Sequence, residues 1–338
     1  MTAAIGAQTE AGADGVAPER SVAICAAVDG KITESASIDA IPELLKDERA
    51  AIWVDLTEPS AADVAAVAEA LGIHPLVAED IGESNERAKV EQIGEAIHLV
   101  LFALTRRDRI EADEIDFVLG PRFLLSVHPA TWDPSAAHQL RGRRGSVIDR
   151  GPDYLLWALV DAVVDGYFPI FDQLADEIED LQDRVIESPD KETLRQVFRL
   201  KNELIRIRHV LAPSREIFNQ LTSREYTLIA EPQVLYFRDI YDHLIRLTDD
   251  FDSYRELTAA TVEIYLSTIN NNLSTIMKRL TGVTVVLAGI GAVGGLFGMS
   301  QATPAFAGQE GFGFWAVTVA TIAIAGVVVA ILRRIGWV

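Results

Sequence analysis

The chain of 338 residues carries 50 acidic and 30 basic side chains, a net charge of −20, and a single cysteine. The acidic excess excludes nucleic acid as a partner, because nucleic-acid binding requires basic surface, and it suits a protein that attracts cations. A lone Cys25 excludes an internal disulfide and a zinc site built on thiolates, so we expect it to be a small buried apolar residue.

The first half of the chain predicts a cytosolic α/β domain behind a short tail. Residues 1–20 are small, polar and acidic, which predicts a disordered tail and not a signal peptide. Residues 21–165 predict a mixed domain with an alanine-rich helix over Ala61–Leu71. The expected strands are SVAICAAV, AIWVDL, AIHLVLFAL, EIDFVLG and RFLLSVHP, the last two joined as a hairpin at Gly120 and Pro121.

Residues 166–231 predict a cytosolic helical pair. The helical pattern starts near Tyr154 and runs to about Ser223, and its break at residues 188–192 predicts two antiparallel helices. The acidic side chains of DQLADEIEDLQD, residues 172–183, are typical of a solvated helix face.

One very long helix is predicted next. Between Pro232 and Gly298 there is no other proline, and no glycine before Gly282, so the helical pattern is unbroken. Such a helix is about 100 Å long, at roughly 1.5 Å per residue. We divide it into a stalk helix over residues 232–280 and a first transmembrane helix over residues 281–298.

Charge almost disappears at the C-terminal end. The residues before Lys278 carry −23, whereas those from Lys278 onward carry four basic groups and one acid, or +3. Uncharged stretches predict transmembrane helices over residues 281–298 and 312–332, joined by an external loop over residues 299–311. One pair of basic residues precedes the first span, and a second pair lies in the tail at 333–338, after the second span. The positive-inside rule therefore places both termini in the cytoplasm of a plasma-membrane protein.

Two neighbouring stripes follow the long helix at alternating spacings of three and four residues. The first is entirely apolar and is typical of a seam between helices. This apolar seam consists of Leu266, Ile269, Leu273, Ile276, Leu280, Val283, Leu287 and Ile290. The second stripe is polar outside the membrane and hydroxylated or small inside it. This polar stripe consists of Glu263, Ser267, Asn270, Ser274, Met277, Thr281, Thr284, Ala288, Gly291, Gly295 and Gly298.

The two stripes together suit a ring of identical helices around a lumen. Each helix would contact its neighbours through the apolar seam, and Thr281 and Thr284 would support hydrated ions in the lumen. A ring of Met277, with Leu280 at the edge of the seam, could gate by dewetting. The alternative is a solvated face that becomes a close glycine and alanine contact in lipid, with threonine hydroxyls bonded to their own helix. Periodicity alone leaves both interpretations open.

Several segments resemble the CorA family of divalent-cation channels. WVDLTEPS at 53–60 and HPLVAEDI at 74–81 are similar to the family's N-terminal domain. YFRDIYDHLIRLTD at 236–249 and YLSTINNNLSTIMKRLT at 265–281 are similar to its stalk helix. The resemblance implies a funnel-shaped homopentamer of α+β membrane subunits, in which the first span lines the pore and the cytosolic domain senses the transported ion. It favours the lumen for the polar stripe.

The external loop departs from that family at one position. The family signature is Gly-Met-Asn, whereas this chain has Gly298, Met299 and Ser300. In the family the asparagine side chain, with nearby carbonyls, meets the hydrated ion at the outer mouth. A serine hydroxyl can accept a hydrogen bond from hydration water, but it is shorter than an amide. Mg²⁺ retains several waters that the outer mouth must bind, so the change to Ser300 affects whether the chain transports ions and whether it prefers Mg²⁺.

The resemblance also implies a regulatory Mg²⁺ site between subunits. Asp80 matches a carboxylate at the subunit boundary, and Asp239 matches its counterpart on the neighbour's stalk helix. Carboxylates from two chains repel until a cation bridges them, so the bound cation would favour the closed assembly. Glu79 and Asp242 could add negative charge around this site.

The resulting hypothesis is a homopentameric channel for Mg²⁺, and also Co²⁺, that opens when low cytosolic Mg²⁺ empties the Asp80 and Asp239 sites. Two alternatives are a zinc or other transition-metal transporter of the same fold, and a non-conducting membrane sensor with a degenerate signature at Ser300. The sequence offers no enzyme constellation, because its six histidines are scattered and Ser126 and His128 have no evident base geometry.

Overall fold

The computed structural model describes residues 21–29, 31–83, 85, 87–223, 226–299 and 312–337. The strands are β1 (Ser21–Val28), β2 (Lys31–Ser35), β3 (Ala51–Thr57), β4 (Lys89–Ile93), β5 (Ala96–Arg106), β6 (Ile110–Leu119) and β7 (Phe123–His128). The α-helices are α1 (Ile41–Leu44), α2 (Ala61–Leu71), α3 (Pro75–Gly82), α4 (Arg144–Ile148), α5 (Pro152–Asp165), α6 (Phe168–Glu187), α7 (Lys191–Ser223), α8 (Glu231–Met299) and α9 (Phe312–Arg334).

The seven strands form one mixed sheet in the order β2-β1-β3-β7-β6-β5-β4. β3 and β7 pair in parallel, and the other neighbours pair antiparallel. One face packs on a core that includes α2 and the start of α3, and α5 lies against β5, β6 and β7. Since β7 is buried along its whole length, its sequence FLLSVH lacks the alternation of a half-exposed strand.

Local sequence signals account for the elements that were predicted correctly. Ser60 and Asp63 form a capping box that starts α2, and Gly72 ends it with a φ of 69°, so the helix has the predicted bounds. The predicted hairpin between β6 and β7 is confirmed by their antiparallel pairing. Two edge strands, β2 and β4, were not predicted, because their sequences KITES and KVEQI are mostly polar and hardly buried.

The helical region after the sheet contains three helices where the sequence predicted two. The chain turns at Gly166 between α5 and α6, so α5 covers the sheet as a separate, almost fully buried helix. The break predicted at 188–192 is confirmed between α6 and α7. The acids of α6 are exposed, as expected for a solvated face, except Glu177, which is half-buried and pairs with Arg106.

The helix predicted from Pro232 to Gly298 is confirmed as α8, which is continuous over 69 residues. Among the residues that the structure describes, two helical segments are long and apolar enough to cross a membrane, Pro152–Glu187 and Glu231–Gly295. The first is mostly buried inside the fold and therefore belongs to its core, whereas the second contains most of the predicted first span. The predicted second span lies within α9, which is helical.

The chain divides into two compact units. The first contains the sheet and the described residues up to Glu179, together with Phe198–Thr258. The second contains Asp180–Val197 and the described residues from Ala259 onward. We call residues 231–258 the upper half of α8 and residues 259–299 the lower half. Cys25 is buried in the first unit, as predicted.

Candidate ion pathway and cation sites

The apolar seam in the lower half of α8 has no cover within the described chain. Its eight residues are all exposed, from 36 % at Ile269 to 64 % at Leu287. A contiguous apolar row of this length marks a surface that lipid or another protein covers. The lower half of α8 is therefore incomplete as a single chain.

The polar stripe is exposed as well from Glu263 to Gly295, about 100° around the same helix from the apolar seam. Met277 is 55 % exposed. Thr284 Oγ1 donates to the Leu280 carbonyl oxygen at 2.8 Å, as the alternative interpretation expected, although the hydroxyl oxygen keeps a free lone pair for a water. Gly298 and Met299 end the helix. Ser300 and the rest of the external loop lie outside the described residues.

Asp80 lies on α3 and already has a cationic partner in its own chain. α3 begins at Pro75, with His74 as its N-cap residue, and Asp80 lies in its last turn. The Lys89 ammonium on β4 pairs closely with the Asp80 carboxylate, and the two side chains are 26% and 32% exposed, respectively. The Asp80 carboxylate therefore has a cationic partner within the single chain. A cation that used Asp80 would compete with Lys89 for this carboxylate.

A buried histidine lies beneath that pair. His98 Nδ1 is 3.6 Å from Asp80 Oδ2, and His98 Nε2 is 2.7 Å from Asp116 Oδ1. Burial raises the pKa of Asp116, and the hydrogen bond from His98 opposes that shift. Asp80 therefore pairs with Lys89 at the surface, and His98 Nδ1 lies near it in the interior without a hydrogen-bond partner among the described residues. Glu79 is exposed and lines a cavity of about 1050 Å³ beside α3.

Asp239 and Asp242 are both exposed on the upper half of α8. No hydrogen bond or ion pair joins either of them to Asp80 among the described residues. Asp239 lies close enough to the buried Asp161 and to Asp165 to raise the pKa of both carboxyls by charge repulsion. The structure therefore places Asp239 beside a carboxylate cluster.

That cluster consists of Asp161, Asp165 and His243, whose possible ligand atoms all lie within 4.8 Å of one another. Asp161 is buried and accepts a hydrogen bond from Gln139 Nε2 at 2.6 Å. Burial is the main cause of the raised pKa of Asp161 and of Asp165. His243 Nδ1 is buried without a hydrogen-bond partner in the described part of the chain. We call these three residues the α5–α8 cluster.

Sequence reasoning missed the α5–α8 cluster, although α5 contains a usable signal. Asp161 and Asp165 are four residues apart in LLWALVDAVVD, and this spacing puts both carboxylates on one face of an otherwise apolar helix. His243 is one residue beyond the predicted Asp242 and lies 78 residues further along the chain than Asp165. Only the packing of α8 on α5 brings His243 close to Asp161 and Asp165.

Ser126 and His128 form a structural network with Asp55 across the parallel pair β3 and β7. Ser126 Oγ donates to Asp55, and His128 Nε2 lies 3.2 Å from the same carboxylate. Trp53 Nε1 donates to Ser126 Oγ at 2.9 Å. Both Ser126 and His128 are buried. The serine and the histidine thus share one carboxylate, which is an arrangement that secures two strands.

Comparisons with known proteins agree with this architecture. The family model for the CorA-like Mg²⁺ transporter protein matches residues 48–334. The cobalt/magnesium transport protein CorA of Thermotoga maritima is 32% identical over 262 residues, which cover 75% of this chain and 74% of that protein. The protein of that name from Methanocaldococcus jannaschii is 25% identical over 319 residues, or 93% of this chain and 99% of that one.

A solved structure shows the same fold over nearly the whole chain. The complete structure of the CorA magnesium transporter from Methanocaldococcus jannaschii has a TM-score of 0.75 and 24% identity, and the match covers 94% of this chain and 98% of that one. The extent of the family match and the identity to the Thermotoga maritima protein confirm the predicted family. The chain belongs to the CorA family.

Proposed function

We propose that this CorA-family chain is a divalent-cation channel of the plasma membrane, with Mg²⁺ as its main cargo and Co²⁺ as a second. The function follows from the relatives' names and from one observation on this chain. In the lower half of α8 an apolar seam is exposed next to an exposed polar stripe. Five copies joined through their apolar seams would turn their polar stripes toward a shared lumen.

The polar stripe supplies groups that suit a hydrated ion. Asn270 and Ser274 offer amide and hydroxyl oxygens above the membrane, and Thr281 and Thr284 continue the stripe within the span. Mg²⁺ loses its waters reluctantly, so a lumen that hydrogen-bonds those waters is favoured over one that strips them. The Met277 ring is the narrow apolar step in this row, and we assign the gate to it.

Flux into liposomes tests the proposal and separates its alternatives. We expect Mg²⁺ entry that cobalt hexammine, a mimic of hydrated Mg²⁺, blocks. Zinc flux coupled to protons would favour the transition-metal transporter. A folded oligomer without flux, in which Ser300→Asn restores flux, would favour the membrane sensor.

Cysteine crosslinking tests the ring itself. A Cys25→Ser background removes the one native thiol. Cysteines at Asn270 and Ser274 should then join subunits into dimers and higher species under mild oxidation. A cysteine at the exposed Asp183 on α6 serves as the control. Equal crosslinking at all three positions, or none at Asn270 and Ser274, would contradict the ring.

We also propose that cytosolic Mg²⁺ regulates the channel through Asp239. The α5–α8 cluster gathers negative charge around Asp239, and its carboxylates have raised pKa values, so the apo state is penalised until a cation arrives. Carboxylates suit Mg²⁺, whereas an imidazole nitrogen prefers transition metals, so His243 Nδ1 would accept a hydrogen bond from a Mg²⁺-bound water. Asp80 of a neighbouring chain would complete the site after Lys89 moves away.

Two variants on the same helix test that assignment. Asp239→Ala should make flux less sensitive to inhibition by internal Mg²⁺, because the proposed site loses the carboxylate that lies beside the α5–α8 cluster. Asp249→Ala removes an equally exposed acid further along α8 and should leave inhibition unchanged. An Asp239→Ala channel with wild-type inhibition would refute the regulatory role and leave the transport proposal standing.

A further inference from the structure

A second concave site lies in the first unit, and its charge is opposite to that of the chain. A cavity of about 610 Å³ is lined by His138, Gln139, Arg141, Arg143, Ser146, Val147, Arg150 and Tyr154. We call it the arginine pocket. The segment 138–148 contains three arginines and no acid, although the whole chain has 20 more acids than basic residues. Its volume lies within the usual range for small-molecule sites.

The fold holds the pocket in shape. Gly142, between two of the arginines, has a φ of 69°, which favours glycine, so the loop turns sharply there. The Arg150 guanidinium carbon lies 3.6 Å from the centre of the Tyr154 ring, and Tyr154 is buried at the start of α5. This cation–π contact fixes one guanidinium against a rigid wall.

The arginines of the pocket are not used to neutralise acids of the chain. Arg144, the one arginine of the segment outside the pocket, lies over Trp53 and 3.7 Å from Glu34. By contrast, Arg141 and Arg143 have no carboxylate within 4.0 Å in the part of the chain that the structure describes. Neither arginine is among the charged groups that shift the pKa of Asp165, which are His138, Asp239 and His243. The guanidinium groups therefore remain available to a ligand.

We propose that the arginine pocket binds a soluble anion that carries more than one phosphate group. Guanidinium groups donate paired hydrogen bonds to phosphate oxygens, and His138 adds a donor of other geometry, whereas the Ser146 hydroxyl already donates to the Arg143 carbonyl oxygen at 2.9 Å. Because the cavity is larger than one phosphate, it fits a polyphosphate or a nucleoside polyphosphate. The pocket also adjoins the α5–α8 cluster, since Gln139 lines the pocket and donates to Asp161. The proposal does not rest on the transport proposal.

Calorimetric titration of the full chain in detergent, with EDTA present, tests the pocket. The probes are tripolyphosphate, ATP, citrate and sulfate. We expect tripolyphosphate and ATP to bind, and Arg141→Ala/Arg143→Ala to weaken them by about tenfold or more, the scale of losing charge-assisted hydrogen bonds. Citrate and sulfate should bind more weakly than either phosphate compound.

A matched variant controls for general charge. Arg107→Ala/Arg109→Ala removes two exposed arginines from the turn between β5 and β6 and should leave affinity within about twofold. Equal weakening by both double variants would show unspecific attraction and overturn the proposal. So would the absence of binding to the wild-type chain, or tighter binding of citrate. A smaller oligomer in the Arg141→Ala/Arg143→Ala variant would assign the arginines to a subunit contact instead, and would also overturn it.

Discussion

The two halves of α8 have the same apolar periodicity, but the apolar residues of the upper half are buried and those of the lower half are exposed. In the upper half, apolar residues at spacings of three and four are buried by the same chain: Phe237, Ile240, Leu244 and Leu247 are fully covered. In the lower half the apolar seam repeats those spacings, and every member is exposed. The helix therefore shows that periodicity identifies a packing face without identifying what packs on it.

The polar partners of the two halves differ in the same way. The upper half contributes His243 to the α5–α8 cluster, whose two carboxyls come from the same chain and have pKa values that are raised mainly by burial. The lower half contributes a polar stripe that is exposed from Glu263 to Gly295 in the described part of the chain. We infer that the upper half is a folding element, whereas the lower half acquires its role through assembly and lipid.

The largest expected effect tests the upper half. Phe237 is fully buried and stacks on Phe218 with ring centres 6.4 Å apart. Phe237→Ala should lower the free energy of unfolding by about 3–5 kcal/mol, because it removes apolar contact and leaves a cavity. Chemical denaturation followed by circular dichroism measures the loss. The matched truncation Leu273→Ala in the lower half should change unfolding of the first unit by less than about 0.5 kcal/mol.

The next effect tests the lower half. Leu273→Asp places a charge in the apolar seam, where the proposed assembly would bury it without a partner. We expect smaller particles by light scattering in detergent, while the first unit keeps its thermal stability. The exposed Glu256→Gln, which lies in the upper half, serves as the control substitution. An intact oligomer in the Leu273→Asp variant would place the subunit contact elsewhere.

A smaller effect on stability tests the α5–α8 cluster, to which the upper half of α8 contributes. The raised pKa of Asp161 means that the metal-free fold binds its proton tightly. The corresponding stability is present below the unfolded pKa of about 3.9 and is lost as pH rises through the folded pKa. In EDTA, Asp161→Asn should therefore raise the melting temperature at neutral pH by roughly 2–4 °C.

The same variant makes a second measurement possible. Added Mg²⁺ should stabilise the wild-type chain more than Asp161→Asn, since the variant has lost a carboxylate ligand. Asp249→Asn should behave as wild type in both buffers. If Asp161→Asn were less stable than wild type in EDTA, the carboxylate would serve the fold rather than a cation.

The smallest effect concerns the polar stripe. Thr284 Oγ1 donates its proton to the Leu280 carbonyl oxygen, but its lone pairs can still accept hydrogen bonds from the hydration waters of an ion. Thr281→Val and Thr284→Val should therefore each lower flux by about twofold to tenfold, the scale of one lost hydrogen bond. Wild-type flux in both variants would show that these hydroxyls do not serve the ion.

Much of the local structure was predictable because its signals are local. The capping box at Ser60 and Asp63, the glycine at Gly72 and the unbroken pattern after Pro232 predict helix ends that the structure confirms. The edge strands β2 and β4 were not predictable in this way. Their residues are largely solvated, and they are strands because a neighbouring strand pairs with them.

By itself the sequence determined the family, the long helix and the two stripes along it, because periodicity and charge act over a few turns. Only the tertiary structure decided that Lys89 pairs with Asp80, that His243 meets Asp161 and Asp165, and that Phe237 is buried. These contacts join residues distant along the chain, and their energies depend on burial and on the charges that other elements bring near. Neither burial nor these neighbouring charges can be inferred from short segments of a single sequence.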